Sequence, residues 1–135
     1  ARCLELYAGS GILSLEALSR GADQVTLVEK SKQTHQHLLS TFRTLPCDNF
    51  EVISSTAAKF LETAYSIYDN VFIDPPFNSG ETEKILPQLL DFGLVHMGSM
   101  IYVENNRPLD LPKFLSIHRQ GRAGRIYYYL LKPII

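Results

Sequence analysis

Short apolar runs alternate with helical patterns along this chain, and that alternation leaves few folds open to it. Residues 3–7, 24–28, 50–54, 70–74 and 99–104 read as strands, and the run Val71-Phe72-Ile73 reads as a buried one. Between them, 12–20, 31–45, 57–63 and 81–90 carry apolar residues at helical spacing. Gly21 closes the first helix, Ser31 caps the second, and Pro46 lies just beyond its end. Pro87 is expected to bend the fourth helix or to end its regular part early. Such units build a mostly parallel sheet with helices on both faces. After residue 106 the pattern changes. Residues 113–120 and 125–131 read as strands joined by Gly121-Arg122-Ala123-Gly124, with no helix between, so they form an antiparallel hairpin. The expectation is a single α/β domain over residues 1–135, with a seven-stranded sheet.

The hairpin carries Tyr127, Tyr128 and Tyr129 in a row. Successive strand residues face opposite sides, so the three cannot make one stacking platform, and packing is the expected role. This segment is also where the charge lies. Residues 1–106 hold seven Lys/Arg and thirteen Asp/Glu, a net of −6, while residues 107–135 hold six and one, a net of +5. A basic end on an acidic body suggests an anionic partner there, although a solvated basic hairpin explains it equally well.

No apolar run has the length of a membrane span, and two cysteines make no disulfide framework. A reduced, cytoplasmic setting is expected. No Cys/His spacing suits zinc, so no metal is expected. His35 and His37 fall on different faces of the second helix and read as solvated.

Three features fall at the carboxyl ends of the strands, where α/β sheets bind ligands. The turn Tyr7-Ala8-Gly9-Ser10-Gly11 follows the first strand, and its glycines let backbone N–H groups approach a ligand. Glu29 ends the second strand, twenty residues after Gly9, where a carboxylate can accept from both ribose hydroxyls. Asp74 ends the fourth and is followed by Pro75, Pro76 and Phe77. Two prolines make this segment stiff and extended, a shelf presenting one carboxylate, bare carbonyls and a ring. Such a shelf suits a flat, hydrogen-bonding base; a strand ending in a plain proline turn capped by Asp74 is the alternative. The dinucleotide fingerprint requires a third glycine where Ser14 stands, and no Gly-Lys-Ser/Thr makes a P-loop. Glu5, four residues before Gly9, would repel a pyrophosphate and attract an ammonium group. S-adenosyl-L-methionine, with an ammonium and a ribose, fits this set better than a nicotinamide dinucleotide.

With Glu5, Gly9-Ser10-Gly11, Glu29 and Asp74-Pro75-Pro76-Phe77 in this order, the chain resembles the class I methyltransferases, whose fold is Rossmann-like. Residues 6–22 (Leu-Tyr-Ala-Gly-Ser-Gly-Ile-Leu-Ser-Leu-Glu-Ala-Leu-Ser-Arg-Gly-Ala), 71–77, Tyr102-Val103-Glu104 and His118 to Gly124 look more closely like the RsmD family. That resemblance covers essentially the whole chain. It implies methyl transfer to N2 of a guanine in bacterial 16S rRNA, with rRNA or the small ribosomal subunit as partner and a monomeric enzyme. It further implies a cofactor site of Glu5, Tyr7, Ala8, Gly9, Ser10, Gly11, Glu29, Lys30, Thr56, Ala57 and Asp74. Its substrate shelf would be Asp74, Pro75, Pro76 and Phe77, with Phe77 stacked on the base. Arg119, Arg122 and Arg125 are the candidates for phosphate contacts. Family members carry a basic N-terminal extension that this sequence lacks, so cofactor binding is expected to survive better than RNA activity. Rival readings are a DNA adenine-N6 methyltransferase, a protein-glutamine methyltransferase and a non-catalytic RNA-binding module. The first needs a target-recognition segment that is not evident, the second usually has Asn at the Asp74 position, and the third gives no reason for the cofactor motifs to coincide.

Overall fold

A computed structural model of the protein describes residues 1–76 and 79–134. Among these residues seven strands form one sheet: β1 (Arg2–Leu6), β2 (Gln24–Glu29), β3 (Phe50–Ser54), β4 (Tyr68–Ile73), β5 (Val95–Asn105), β6 (Leu115–Ala123) and β7 (Ile126–Pro133). Their spatial order is β3-β2-β1-β4-β5-β7-β6. The first five are parallel, β7 runs antiparallel to β5, and β6 antiparallel to β7. Strand order reverses between β1 and β4, which opens a crevice at their carboxyl ends.

Among the described residues four helices cover the sheet: α1 (Ile12–Ser19), α2 (Lys32–Phe42), α3 (Ala57–Thr63) and α4 (Glu81–Asp91). Alternation along the strands divides the core between two faces. Cys3, Val25 and Leu27 point to one face, where Leu38 and Phe42 of α2 and Leu15 of α1 meet them. Leu4, Leu6, Val71 and Ile73 point to the other, against Leu61 of α3 and Ile85, Leu86 and Leu89 of α4. Both faces of the central strands are therefore dry, which is why those strands lack a polar side.

Several boundaries differ from the sequence reading. Helix α4 runs unbroken through Pro87 to Asp91. A proline inside a helix costs about 3 kcal/mol, but Ile85, Leu86 and Leu89 are fully buried, and each such side chain gains about 1.5–3 kcal/mol. Packing wins. Helix α2 stops at Phe42, three residues short of the expected end, because Thr44 and Leu45 turn back onto the carbonyls of Thr41 and Phe42. The hairpin turn is the two-residue Gly124-Arg125, since Ala123 pairs with Ile126 and Gly121 and Arg122 already belong to β6. Gly124 has φ +61° at the first central position, the conformation that tight hairpins of this length require. Strand β5 begins at Val95, four residues early, and shifts register where Tyr68 pairs with Val95 but Asn70 pairs with Met100. His35 is not solvated: its Nε2 lies 3.1 Å from the Val52 carbonyl, pinning α2 to β3.

Tyr129 is buried in the core with Tyr127 packed beside it, while Tyr128 takes the opposite face. The Tyr128 ring lies so close over Gly121 that a Cβ there would fall 2.3 Å from it. No described helix is long and apolar enough to cross a membrane.

Candidate active site

The turn after β1 is built by backbone conformations that few residues adopt. Tyr7, Gly9 and Gly11 have φ of +58°, +55° and +75°. Gly9 directs its N–H to Glu29 Oε1 at 3.1 Å, and Ser31 N–H reaches Glu29 Oε2 at 2.9 Å. Each carboxylate oxygen thus accepts one backbone hydrogen bond, and an ionised carboxylate has about four lone-pair positions. Glu29 is held rigidly and can still accept from two hydroxyls.

The two glycines of this turn serve different ends. A Cβ on Gly9 would meet nothing nearer than 3.9 Å, whereas one on Gly11 would fall 2.8 Å from Leu38, 2.9 Å from Phe42 and 3.0 Å from Leu27. Gly11 lets the turn sit down on the core. Glu5 is equally inward. It is buried, and its Oε1 accepts from Ser14 N–H at 3.1 Å and Ser14 Oγ–H at 2.7 Å. No side chain of the preceding turn caps α1, so a carboxylate reaching from β1 does so, where helix N-termini favour negative charge. Burial raises the Glu5 pKa, and the Ser14 hydrogen bonds oppose that rise.

A cleft of about 420 Å³ opens at the carboxyl ends of β1, β2 and β4, within the usual size of ligand sites. Tyr7, Gly9, Glu29 and Lys30 line one wall, Thr56 and Ala57 the far end, and Asp74, Pro75 and Pro76 the other wall. A second hollow of about 320 Å³ adjoins it, sharing Tyr7, Gly9 and Asp74 and adding Glu5, Ala8, Ser10 and Glu104. The expected cofactor and shelf residues therefore converge on two adjoining spaces, with Gly11 outside both. Phe77 lies outside the described residues. Thr56 caps α3, its Oγ1 accepting from Lys59 N–H at 3.2 Å, which turns the start of that helix toward the cleft.

Asp74 stands directly beyond β4. Its pKa is raised, first because the cleft walls strip water from the carboxyl and second because the Glu104 carboxylate is beside it. Pairing of Ile73 with Val103 sets the two residues abreast. Tyr102 O–H donates to Glu104 Oε1 at 2.9 Å, and burial together with this bond pushes the phenol up to about 12. Across the first cleft, Tyr7 O–H donates to Glu81 Oε1 at 3.0 Å, tying the turn after β1 to the first residue of α4.

The arginines lie further along the same edge. Asn105 pairs with Tyr127 and Tyr127 with Arg122, so the hairpin tip is level with the carboxyl end of β5. Arg122 donates from Nε to the Gly124 carbonyl at 2.9 Å and stacks over Tyr127 at 5.0 Å. Arg119 and Arg125 are exposed, Arg119 three positions further from the tip than Arg122.

Residues 1–132 match the family described as Conserved hypothetical protein 95. Ribosomal RNA small subunit methyltransferase D of Escherichia coli (strain K12) is 39% identical over 133 residues, covering 96% of this chain and 67% of that protein. The chain belongs to the RsmD family. The protein of the same name from Haemophilus influenzae is 33% identical, covering 96% of this chain and 70% of its own length. This RsmD-family chain spans about two thirds of the length of those relatives. Among solved structures, one from Escherichia coli described as a methyltransferase superposes with a TM-score of 0.93 at 38% identity, covering 99% of this chain and 76% of that one. Another, from Haemophilus influenzae and described as a methylase, gives 0.93 at 32% identity, covering 100% and 88%.

Glu81 lines the cleft and Glu104 the adjoining hollow, and sequence reasoning singled out neither. Glu81 looks like an ordinary acidic first turn of a helix. Glu104 sits in a segment that marks the RsmD family, but nothing in the linear pattern places it against Asp74.

Proposed function

We propose that this protein transfers a methyl group from S-adenosyl-L-methionine to the exocyclic N2 of a guanine in bacterial small-subunit (16S) rRNA. The single observation that carries the reading is the opening of the Asp74-Pro75-Pro76 edge into the same cleft as Gly9 and Glu29. The lining of that cleft suits the cofactor: among its described residues Glu29, Asp74 and Glu81 are acidic and Lys30 alone is basic. A pyrophosphate would be repelled there, and a cationic nucleoside attracted.

Glu29 would hold the ribose hydroxyls, and the first turn of α3 at Thr56 and Ala57 would face the adenine. When bound, the cofactor supplies an electrophilic methyl group on a sulfonium. Asp74 accepts an N–H of the amine and orients the nitrogen lone pair at that carbon, with the Pro75 carbonyl as a second acceptor. Once the amine has taken up the methyl group, its surplus N2 proton would pass to Asp74 or to water. Positioning of this kind supplies up to about 7–11 kcal/mol of barrier lowering. A paired guanine cannot reach such a shelf, so the target is unpaired or turned out of its stack. Arg119, Arg122 and Arg125 would hold phosphates on the flank.

Calorimetric titration with S-adenosyl-L-methionine tests the cofactor half. Saturable one-to-one binding, competed by S-adenosylhomocysteine and not by NAD, is the expected result. Absence of binding would remove the cofactor from the site.

A further inference from the structure

An acceptor such as Asp74 can serve any exocyclic amine, because adenine, cytosine and guanine all offer one. What separates them is the neighbouring ring atom. Guanine sets an N1–H donor beside its amine, whereas adenine and cytosine set a bare acceptor nitrogen there. A site that takes guanine needs a second acceptor at that place, and one for the other two bases needs a donor.

The second acceptor is present. Register across β4 and β5 sets Glu104 abreast of Asp74, and the two carboxyl groups meet. Both line the 320 Å³ hollow, which joins the cofactor cleft through Tyr7, Gly9 and Asp74. Tyr102 donates to Glu104 Oε1 from the same sheet face, which fixes the carboxylate's orientation. No described lysine or arginine lines this hollow, so the acidic pair has no cationic partner there. Two side-by-side acceptors of like charge are costly alone and match two side-by-side donors.

Resting on the guanine-N2 reading above, we propose that Glu104 accepts the N1–H of the target guanine while Asp74 accepts from its amine, so that Glu104 selects the base. Adenine or cytosine would set its ring nitrogen against the Glu104 carboxylate, and sites built around such hydrogen bonds reject mismatched analogues strongly.

The test compares two RNA substrates, identical except that the methylated guanine, once located by mass mapping, is replaced in one by 2,6-diaminopurine. That base keeps the 2-amine but carries an acceptor at N1. Wild-type protein is expected to favour guanine by at least about tenfold in kcat/KM. Glu104→Gln can donate to an N1 acceptor, so its guanine-to-diaminopurine ratio is expected to fall by at least about tenfold, with cofactor affinity retained. Glu104→Ala is expected to lose the preference without gaining the diaminopurine substrate, and it stands in should the glutamine variant fail to fold. An unchanged ratio in a folded, active variant overturns the base-reading role and leaves the guanine-N2 reading intact. Absence of any methylated guanine with the wild-type protein overturns both.

Discussion

The two halves of the sheet's carboxyl edge are built on opposite principles. Around β1, β2 and β3, polar groups are already satisfied: Glu29 by Gly9 and Ser31, Glu5 by Ser14, and the first turn of α3 by Thr56. Around β4 and β5, two carboxyl groups face each other, and the hydrogen-bond donor given to them is Tyr102 O–H, two residues before Glu104 on β5. Every donor spent in advance on the first half lowers what a cofactor must organise when it binds. The second half keeps its acceptors and their repulsion for a ligand to resolve, a trade of stability for function common at active sites.

That contrast can be broken by mutation. The largest effect belongs to Asp74→Ala, which is expected to slow methyl transfer by about 10²–10³-fold, as for other lost transition-state contacts, a far larger loss than in cofactor affinity, where Asp74 is one of three acidic groups lining the cleft. Single-turnover methylation and calorimetry measured on one preparation check it; parallel loss of both would place Asp74 in the cofactor half. Next is Gly11→Ala, in which a positive φ costs about 1–2 kcal/mol and overpacking against Leu38, Phe42 and Leu27 about 1–3 kcal/mol. Denaturant unfolding should show a lower midpoint, and Gly9→Ala, with an open Cβ position, a smaller loss. Equal losses would mean that packing does not separate the two glycines.

Glu29→Ala removes the acceptor for Gly9 and Ser31 together with that for the ribose. Hydrogen bonds to charged groups contribute about 1.5–3 kcal/mol, so cofactor affinity is expected to fall at least about tenfold with little change in the rate of a saturated enzyme. Unchanged affinity would take Glu29 out of the ribose site.

The smallest effect is the most diagnostic of stored repulsion. Asp74 has a folded pKa above its ordinary value of 3.8, so the folded protein binds that proton more tightly than the unfolded chain. Stability from this group is therefore full at low pH and is lost as pH rises through the folded value. Asp74→Asn removes the penalty, and is expected to raise Tm at about pH 7 and to change it little near pH 3. A Tm lowered at neutral pH would show that the carboxylate is a stabilising partner instead.

Much of the half proposed to bind the cofactor was legible in the linear chain because it is local. Gly9 and Glu29 belong to one strand–helix–strand unit, and Asp74 declares itself through the prolines that follow. Packing and register were not legible. Gly11 reads as part of a ligand turn, yet three side chains from α2 and β2 forbid a Cβ there. Glu5 reads as a partner for an ammonium group, yet Ser14 occupies one of its oxygens. Glu104 lies thirty residues beyond Asp74, and only the pairing of Ile73 with Val103 shows that they meet. Pro87 misled for a related reason: a local rule predicts a break, and three buried side chains override it.

The acidic half is proposed to receive a guanine amine. Incubating the protein with methyl-labelled S-adenosyl-L-methionine and small ribosomal subunits from a strain lacking the endogenous activity, then digesting the rRNA and identifying the labelled nucleoside, tests it directly. Label in N2-methylguanosine at one position is the predicted result. Label in N6-methyladenosine, label in protein only, or no transfer by a protein that binds the cofactor would contradict it.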